Sequence, residues 1–401
     1  MAPRILLVTT VNWPSSARLA GAFAGVGAHV EAVFPAGHVI RDSRFLAARY
    51  RYTAVAPLTS VTHAITRAQP DLVVPCDDRA VDQLVRLDGG PLHAVIARSL
   101  GAPQNYAALM ARAAFIDAAH AAGVLAPDTI NVPDEGLLDA ALDRVGFPAV
   151  LKADGSWGGD GVAMARNPEQ AHAIFRRFAA APSRLRSLVR AAKRRDIHFL
   201  REMVRPREMT VSVQRFVAGR PATSAFACWQ GRVLATIHME VLETLGATGP
   251  ASVMRRLDCP QMDEAASRIA GRFGLSGLHG LDFIRDAAGQ PHLIEINPRA
   301  TQASAFALGP GHDLAAALAG CVSPSAQGAR PAVTDNSFIA LFPQEWRRNP
   351  ASEWLRTAYL DAPWDDPAVL RACLAPGEPI PERRPYSDAV HPLTVRQAVR
   401  R

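Results

Sequence analysis

No apolar run in this sequence approaches the ~18–20 residues that a helix needs to cross a bilayer. Ile5–Val11 is apolar but short, holds two threonines and meets Asn12-Trp13-Pro14, so it reads as a first strand and not as the core of a signal peptide. Cysteine is scarce and scattered: Cys76, Cys228, Cys259, Cys321 and Cys373 form no C-x-x-C pair and no Cys/His cluster with zinc spacing. Reduced thiols in the cytoplasm are the expectation. The P-loop pattern G-x-x-x-x-G-K-[ST] is missing. Gly21, Gly25 and Gly27 fall within or after the first helix, not in the first strand-to-helix turn, which excludes a dinucleotide fingerprint. No internal repeat is found.

What is present is a globular composition, 49% hydrophobic and 20% charged over 401 residues. That length implies two or three domains at ~100–200 residues each. Lys and Arg outnumber Asp and Glu by 44 to 37, an excess that favours anionic ligands or serves solubility. Between Arg176 and Arg195 lie eight basic residues and no acidic one, with Leu185, Leu188, Val189 and Ala192 at helical spacing. An amphipathic helix with a solvated basic face is the expectation. Neither aromatic interleaving nor a nucleic-acid motif accompanies it.

Residues 1–105 alternate strand and helix signals: Ile5–Val11, Ser16–Val26, Val30–Phe34, Ser60–Arg67 and a strand ending at Pro75. This alternation predicts a parallel sheet with helices on both faces. A long helix is expected over Ala107–Ala122, ended by Gly123. Strands are expected at Phe147–Lys152, 210–217, 223–228 and 232–239, with a turn at Ala218-Gly219-Arg220. A helix over Met262–Phe273 and a strand pair, Leu281–Ile284 with His292–Ile296, complete the region. From about 325 onward proline is frequent and the pattern irregular, as in an extension packed on the body.

Three groups carry chemistry. Lys152 is followed by Gly155, Gly158, Gly159 and Gly161: a strand-end ammonium before a loop whose backbone can approach polyphosphate closely, or else a β-hairpin with turn glycines. Glu202-Met203-Val204 can offer backbone groups to an adenine edge and Glu208 can accept ribose hydroxyls, or the segment is a strand with exposed glutamates. In the third group, Glu295 and Asn297, with Arg299 while the strand lasts, share one face, and a turn at Asp286–Gln290 brings Asp282 beside them. Two carboxylates and an amide oxygen are hard ligands suited to magnesium; a surface hairpin is the alternative.

In this order the groups resemble the ATP-grasp superfamily over about 106–320. The resemblance implies an α/β chain (α+β in part): a Rossmann-like pre-ATP-grasp domain at 1–105, then the two-lobed ATP-grasp fold at 106–325, with an A lobe at 106–198 and a B lobe at 199–325. An extension at 326–401 follows. It implies ATP and Mg²⁺ (Mn²⁺ substituting) as cofactors, with Lys152 and the glycine loop on the phosphates, Glu202–Val204 on adenine, Glu208 on ribose, and Asp282, Glu295 and Asn297 on the metal. Arg299 matches an arginine set against a carboxylate or acyl-phosphate. Arg112 stands where many members have lysine, as in the carbamoyl-phosphate synthetase branch, and keeps the charge with a bidentate fork. His238, Glu240, Arg255, Gln302 and Ser304 stand where such ligases place acceptor contacts. A cytoplasmic ligase joining a small-molecule carboxylate to an amine is expected, without nucleic acid or membrane and compatible with a homodimer. A kinase, a carboxyphosphate-forming enzyme or a non-catalytic ATP-binding module are the alternatives.

Overall fold

The computed structural model describes residues 1–153, 161–180, 210–246, 249–375, 377–379 and 381. The first sheet is all parallel. Its strands β1 (Arg4–Val8), β2 (His29–Pro35), β3 (Ala48–Tyr52) and β4 (Leu72–Pro75) run in the order β3-β2-β1-β4. Helices Ser15–Ala24, Pro57–Ala68, Asp78–Leu87 and His93–Leu100 surround it. β1 stops at Val8, short of the expected Val11, because Thr10 turns to Asp77: its N–H and hydroxyl donate to the two carboxylate oxygens at 2.6 and 2.7 Å. Asp77 also caps helix Asp78–Leu87 by accepting from Ala80 N at 3.0 Å.

The second sheet comprises β5 (Thr129–Val132), β6 (Ala149–Ala153), β7 (Val162–Ala165) and β8 (Val211–Arg215), in the order β5-β8-β6-β7 and antiparallel throughout. Helices Leu138–Val145 and Pro168–Ala179 pack on it around Leu142, Leu151, Phe175 and Val213. This lobe therefore has a core of its own. Arg176 and Arg177 lie on helix Pro168–Ala179; the rest of the basic segment is outside the described residues.

The third sheet is the largest, with β9 (Arg220–Trp229), β10 (Arg232–Thr244), β11 (Ala251–Leu257), β12 (Gly277–Arg285), β13 (Pro291–Asn297), β14 (Phe338–Leu341) and β15 (Tyr359–Asp361). The order is β13-β12-β9-β10-β11-β14-β15. Residues beyond 325 thus add two strands to this sheet. Its cores are shared with the first sheet. Ile5, Leu7 and Phe23 meet Ile237, Met239 and Leu318 on one face, while Leu6, Val8 and Leu84 meet Phe226, Phe283 and Leu293 on the other. Each such side chain, fully buried, contributes about 1.5–3 kcal/mol before entropy is counted.

One expectation is corrected. The helix over Ala107–Ala122 is two helices, Tyr106–Met110 and Arg112–Ala121, separated by Ala111 in extended conformation. The break starts a fresh helix at Arg112, whose guanidinium then reaches the second sheet. β8 belongs to the second sheet and leads through Phe216–Gly219 into β9 of the third.

Gly101 joins the first domain to the large sheet, with φ +87° and a bridge to Leu275. A Cβ there would lie 2.0 Å from Gly274 O and 2.7 Å from Ser276 N, whose N–H donates to Leu100 O at 3.0 Å. Both obstacles are backbone, so neither can swing aside. Gly101→Ala is expected to destabilise the chain by about 2–3 kcal/mol. Urea unfolding should show this as a lower midpoint at similar slope, and an unchanged midpoint contradicts the close approach.

Candidate active site

Lys152 lies on the interior strand β6, with backbone paired to Ser212 on one side and Val162 on the other. Its side chain is buried and its ammonium donates across the lobe gap to Ile294 O on β13 at 3.5 Å. Arg112 closes the same gap from the helix start. Its Nη1 donates to Ala153 O at 2.9 Å and its Nη2 lies 3.6 Å from Glu295 Oε2. Two cations, Lys152 from the second sheet and Arg112 from a helix packed on the third, therefore border the carboxylate hairpin.

On that hairpin Asp282 pairs directly with Glu295, and Gly280 with Asn297. Directly paired residues share a face. Asn297 Nδ2 donates to Asp282 Oδ2 at 2.9 Å, and the Thr223 hydroxyl of β9 donates to the same carboxylate. Burial, and then the Glu295 charge opposite, push Asp282 above the usual carboxylate range despite these hydrogen bonds. Among the described residues no three His, Cys, Asp or Glu side chains converge as a metal cage. Two carboxylates and an amide oxygen fit magnesium, which keeps places for water and phosphate oxygens, and a cation relieves the repulsion raising Asp282.

Arg299, just past β13, donates from Nη2 to Asn297 Oδ1 at 3.1 Å and from Nε to Asp78 Oδ1 at 3.0 Å. Burial would lower its pKa, but Asp78, Asp77 and Asp282 outweigh burial and hold the guanidinium above its ordinary value. Sequence reasoning missed Asp78 and Thr223. Asp77 and Asp78 stand two and three residues past β4, at the carboxyl end of a parallel strand, where such sheets place ligands, and that position was the available signal.

Other expected residues do not join the cluster. Thr223, on the Asp282 face, pairs with Met239. Its neighbours His238 and Glu240 therefore point to the opposite face, with Arg255 opposite Glu240. There His238 Nε2 meets Asp263 at 2.9 Å, and Arg255 donates to Glu240 at 2.6 Å, with Arg285 3.7 Å away. These are a histidine–carboxylate hydrogen bond and an arginine–glutamate ion pair on the far side of the sheet from Asp282. Ser304 is buried and its hydroxyl accepts from Thr301 N in a capping box; Gln302 is half-buried in the same short helix.

Gly155, Gly158, Gly159, Glu202, Met203, Val204 and Glu208 lie outside the described residues; Gly161 O accepts from Ala153 N at 2.8 Å. The described segment that crosses between the lobes is Phe216–Gly219. Gly219 is required there, since a Cβ would sit 2.1 Å from Arg285 O. A cleft of about 410 Å³ runs along this crossing between Leu125–Asp128 and Asp286 with His292, but Lys152, Asp282, Glu295 and Asn297 do not line it.

Residues 117–303 match the ATP-grasp domain model, so this stretch of the chain carries an ATP-grasp domain. Solved structures with the same fold include N5-carboxyaminoimidazole synthetase from Staphylococcus aureus complexed with ADP (13% identity, TM-score 0.59, covering 82% of this chain and 80% of that one). The biotin carboxylase domain dimer of Hydrogenobacter thermophilus 2-oxoglutarate carboxylase, with MgADP and bicarbonate, is 14% identical (TM-score 0.56, 80% and 70%). L-amino acid ligase from Bacillus licheniformis is 14% identical (TM-score 0.52, 83% and 79%). Among curated proteins none matches this chain by sequence. No helix among the described residues is long and apolar enough to cross a membrane.

Proposed function

We propose that this chain is an ATP- and magnesium-dependent ligase that activates a small-molecule carboxylate as an acyl-phosphate and joins it to an amine. The observation that carries the reading is the meeting, across two lobes, of Lys152 and Arg112 with the Asp282–Glu295–Asn297 face. Phosphoryl transfer needs charge neutralisation and alignment more than covalent help, and this set supplies both. Lys152 and Arg112 bind the phosphates, and Gly155, Gly158, Gly159 and Gly161 are the further phosphate contacts expected beside them. Asp282, Glu295 and Asn297 hold magnesium, which when bound neutralises phosphate charge and polarises the transferred group. The adenine edge is the part of Glu202–Val204, and the ribose hydroxyls that of Glu208.

A carboxylate oxygen attacks the γ-phosphorus, breaking its bond to ADP. The amine nitrogen then attacks the acyl carbon, phosphate leaves and the nitrogen loses a proton. Arg299 neutralises the carboxylate and the departing phosphate. The unpaired cysteines support a cytoplasmic setting, and a homodimer is our reading of the assembly, by analogy with the biotin carboxylase domain dimer.

The test is an ADP-release screen over mixed carboxylic acids and amines with Mg²⁺, read by mass spectrometry. The expected product has the mass of acid plus amine minus water. ADP release without any second nucleophile makes the chain a kinase, and no release with any mixture sinks the enzymatic reading.

A further inference from the structure

The first domain reaches the metal face through one continuous chain of side chains. Asp78 opens helix Asp78–Leu87, and its backbone is fixed because Asp77 before it caps that helix and is itself held by Thr10. Asp78 Oδ1 accepts from Arg299 Nε at 3.0 Å; Arg299 Nη2 donates to Asn297 Oδ1 at 3.1 Å; Asn297 Nδ2 donates to Asp282 Oδ2 at 2.9 Å. The main chains meet beside this relay, where Ala300 N donates to Pro75 O at 3.1 Å. Arg299 Nη1 goes to Ala300 O at 3.2 Å, so the guanidinium is held in one plane by three acceptors.

An amide has two ends, and which end faces Asp282 decides whether Asn297 donates to that carboxylate or presents oxygen beside it. Arg299 fixes the choice, because its N–H groups can meet only the oxygen end. Asp78 in turn fixes Arg299. We propose that Asp78 is a positioning residue of the ATP-grasp site: through Arg299 it sets the Asn297 amide, making the N-terminal domain part of the metal-binding assembly.

This inference rests on the functional reading above. Partners one step behind a metal ligand typically change metal affinity by about 10–100-fold when removed. The experiment is calorimetric titration of the full chain with ADP in the presence of Mg²⁺, comparing wild type, Asp78→Ala, Asp78→Asn, Arg299→Ala and the double variant Asp78→Ala/Arg299→Ala. Asp78→Ala is expected to weaken MgADP binding by about 10-fold while ADP binding in EDTA stays unchanged. Asp78→Asn, which keeps the accepting oxygen, should restore much of the loss, and the double variant should be no worse than Arg299→Ala alone. A domain staple with no part in positioning would lower the melting temperature but leave the Mg²⁺-dependent affinity as in wild type, and that result overturns the inference. Additive losses in the double variant overturn it too. Absence of MgADP binding by the wild-type chain overturns the functional reading and the inference with it.

Discussion

Glu295→Gln is expected to lower the Mg²⁺-dependent release of ADP by two to three orders of magnitude while leaving the chain folded. Loss of one preorganised charged group at a phosphoryl site raises the barrier by about 3–4 kcal/mol. Glutamine keeps the shape of the side chain, so the change isolates charge. The fold has little to lose: the Glu295 side chain is about one-third exposed, and its contact with Arg112 is a long 3.6 Å. Pairs of that kind contribute about 0–1 kcal/mol. Asp282 gains instead, because the Glu295 charge is the second cause of its raised pKa after burial. Removing that charge brings Asp282 back toward the ordinary range, so the variant should lose activity without losing melting temperature. The measurements are the ADP-release rate at saturating Mg²⁺ and a thermal melt without ligand. A rate within a few-fold of wild type removes Glu295 from the metal face, whereas a collapsed melt means that the hairpin, not the charge, was disturbed.

The carboxylate hairpin was legible because its signal is local. Alternation along β13 sets Glu295 and Asn297 on one face, and a five-residue turn returns Asp282 to them, as the register shows. The lysine strand was legible for the same reason. The partners of those residues were not, since they come from other sheets: Asp78 is 221 positions from Arg299 and Thr223 is on β9. Nothing in a local pattern encodes such a meeting. The residues expected at the acceptor are a different case. His238 and Glu240 were chosen by position along the chain, but faces alternate, and Met239 is the residue of that stretch that shares the face of Asp282. Strand period alone does not say which of them share the face of Asp282, because the register of β10 against β9 and β12 is a tertiary fact. β8 reads as a strand in either lobe, and only its pairing with β6 assigns it to a sheet.

Lys152→Met is the complementary change and should cost as much as Glu295→Gln, about two to three orders of magnitude in rate, by a different route. Methionine fills nearly the same volume in a site where Lys152 is 3% exposed, so packing survives and only the cation goes. The backbone of β6 is held from both sides, by β7 and β8, which leaves no path for the strand to relax around the replacement. Lys152→Arg tests geometry separately. The planar fork keeps the charge but must fit where a point-like ammonium now reaches Ile294 O, so a partial loss is expected. Arg112, whose Nη1 is committed to Ala153 O next to Lys152, cannot move over to compensate without giving up that bond. Steady-state ADP release, with nucleotide affinity measured by calorimetry, separates the outcomes. In Lys152→Met the rate should fall far more than the affinity, because the ammonium is needed most where charge is redistributed among the phosphates. Equal losses in both would make Lys152 a ground-state contact only, and an unchanged rate would take the phosphates away from β6 altogether.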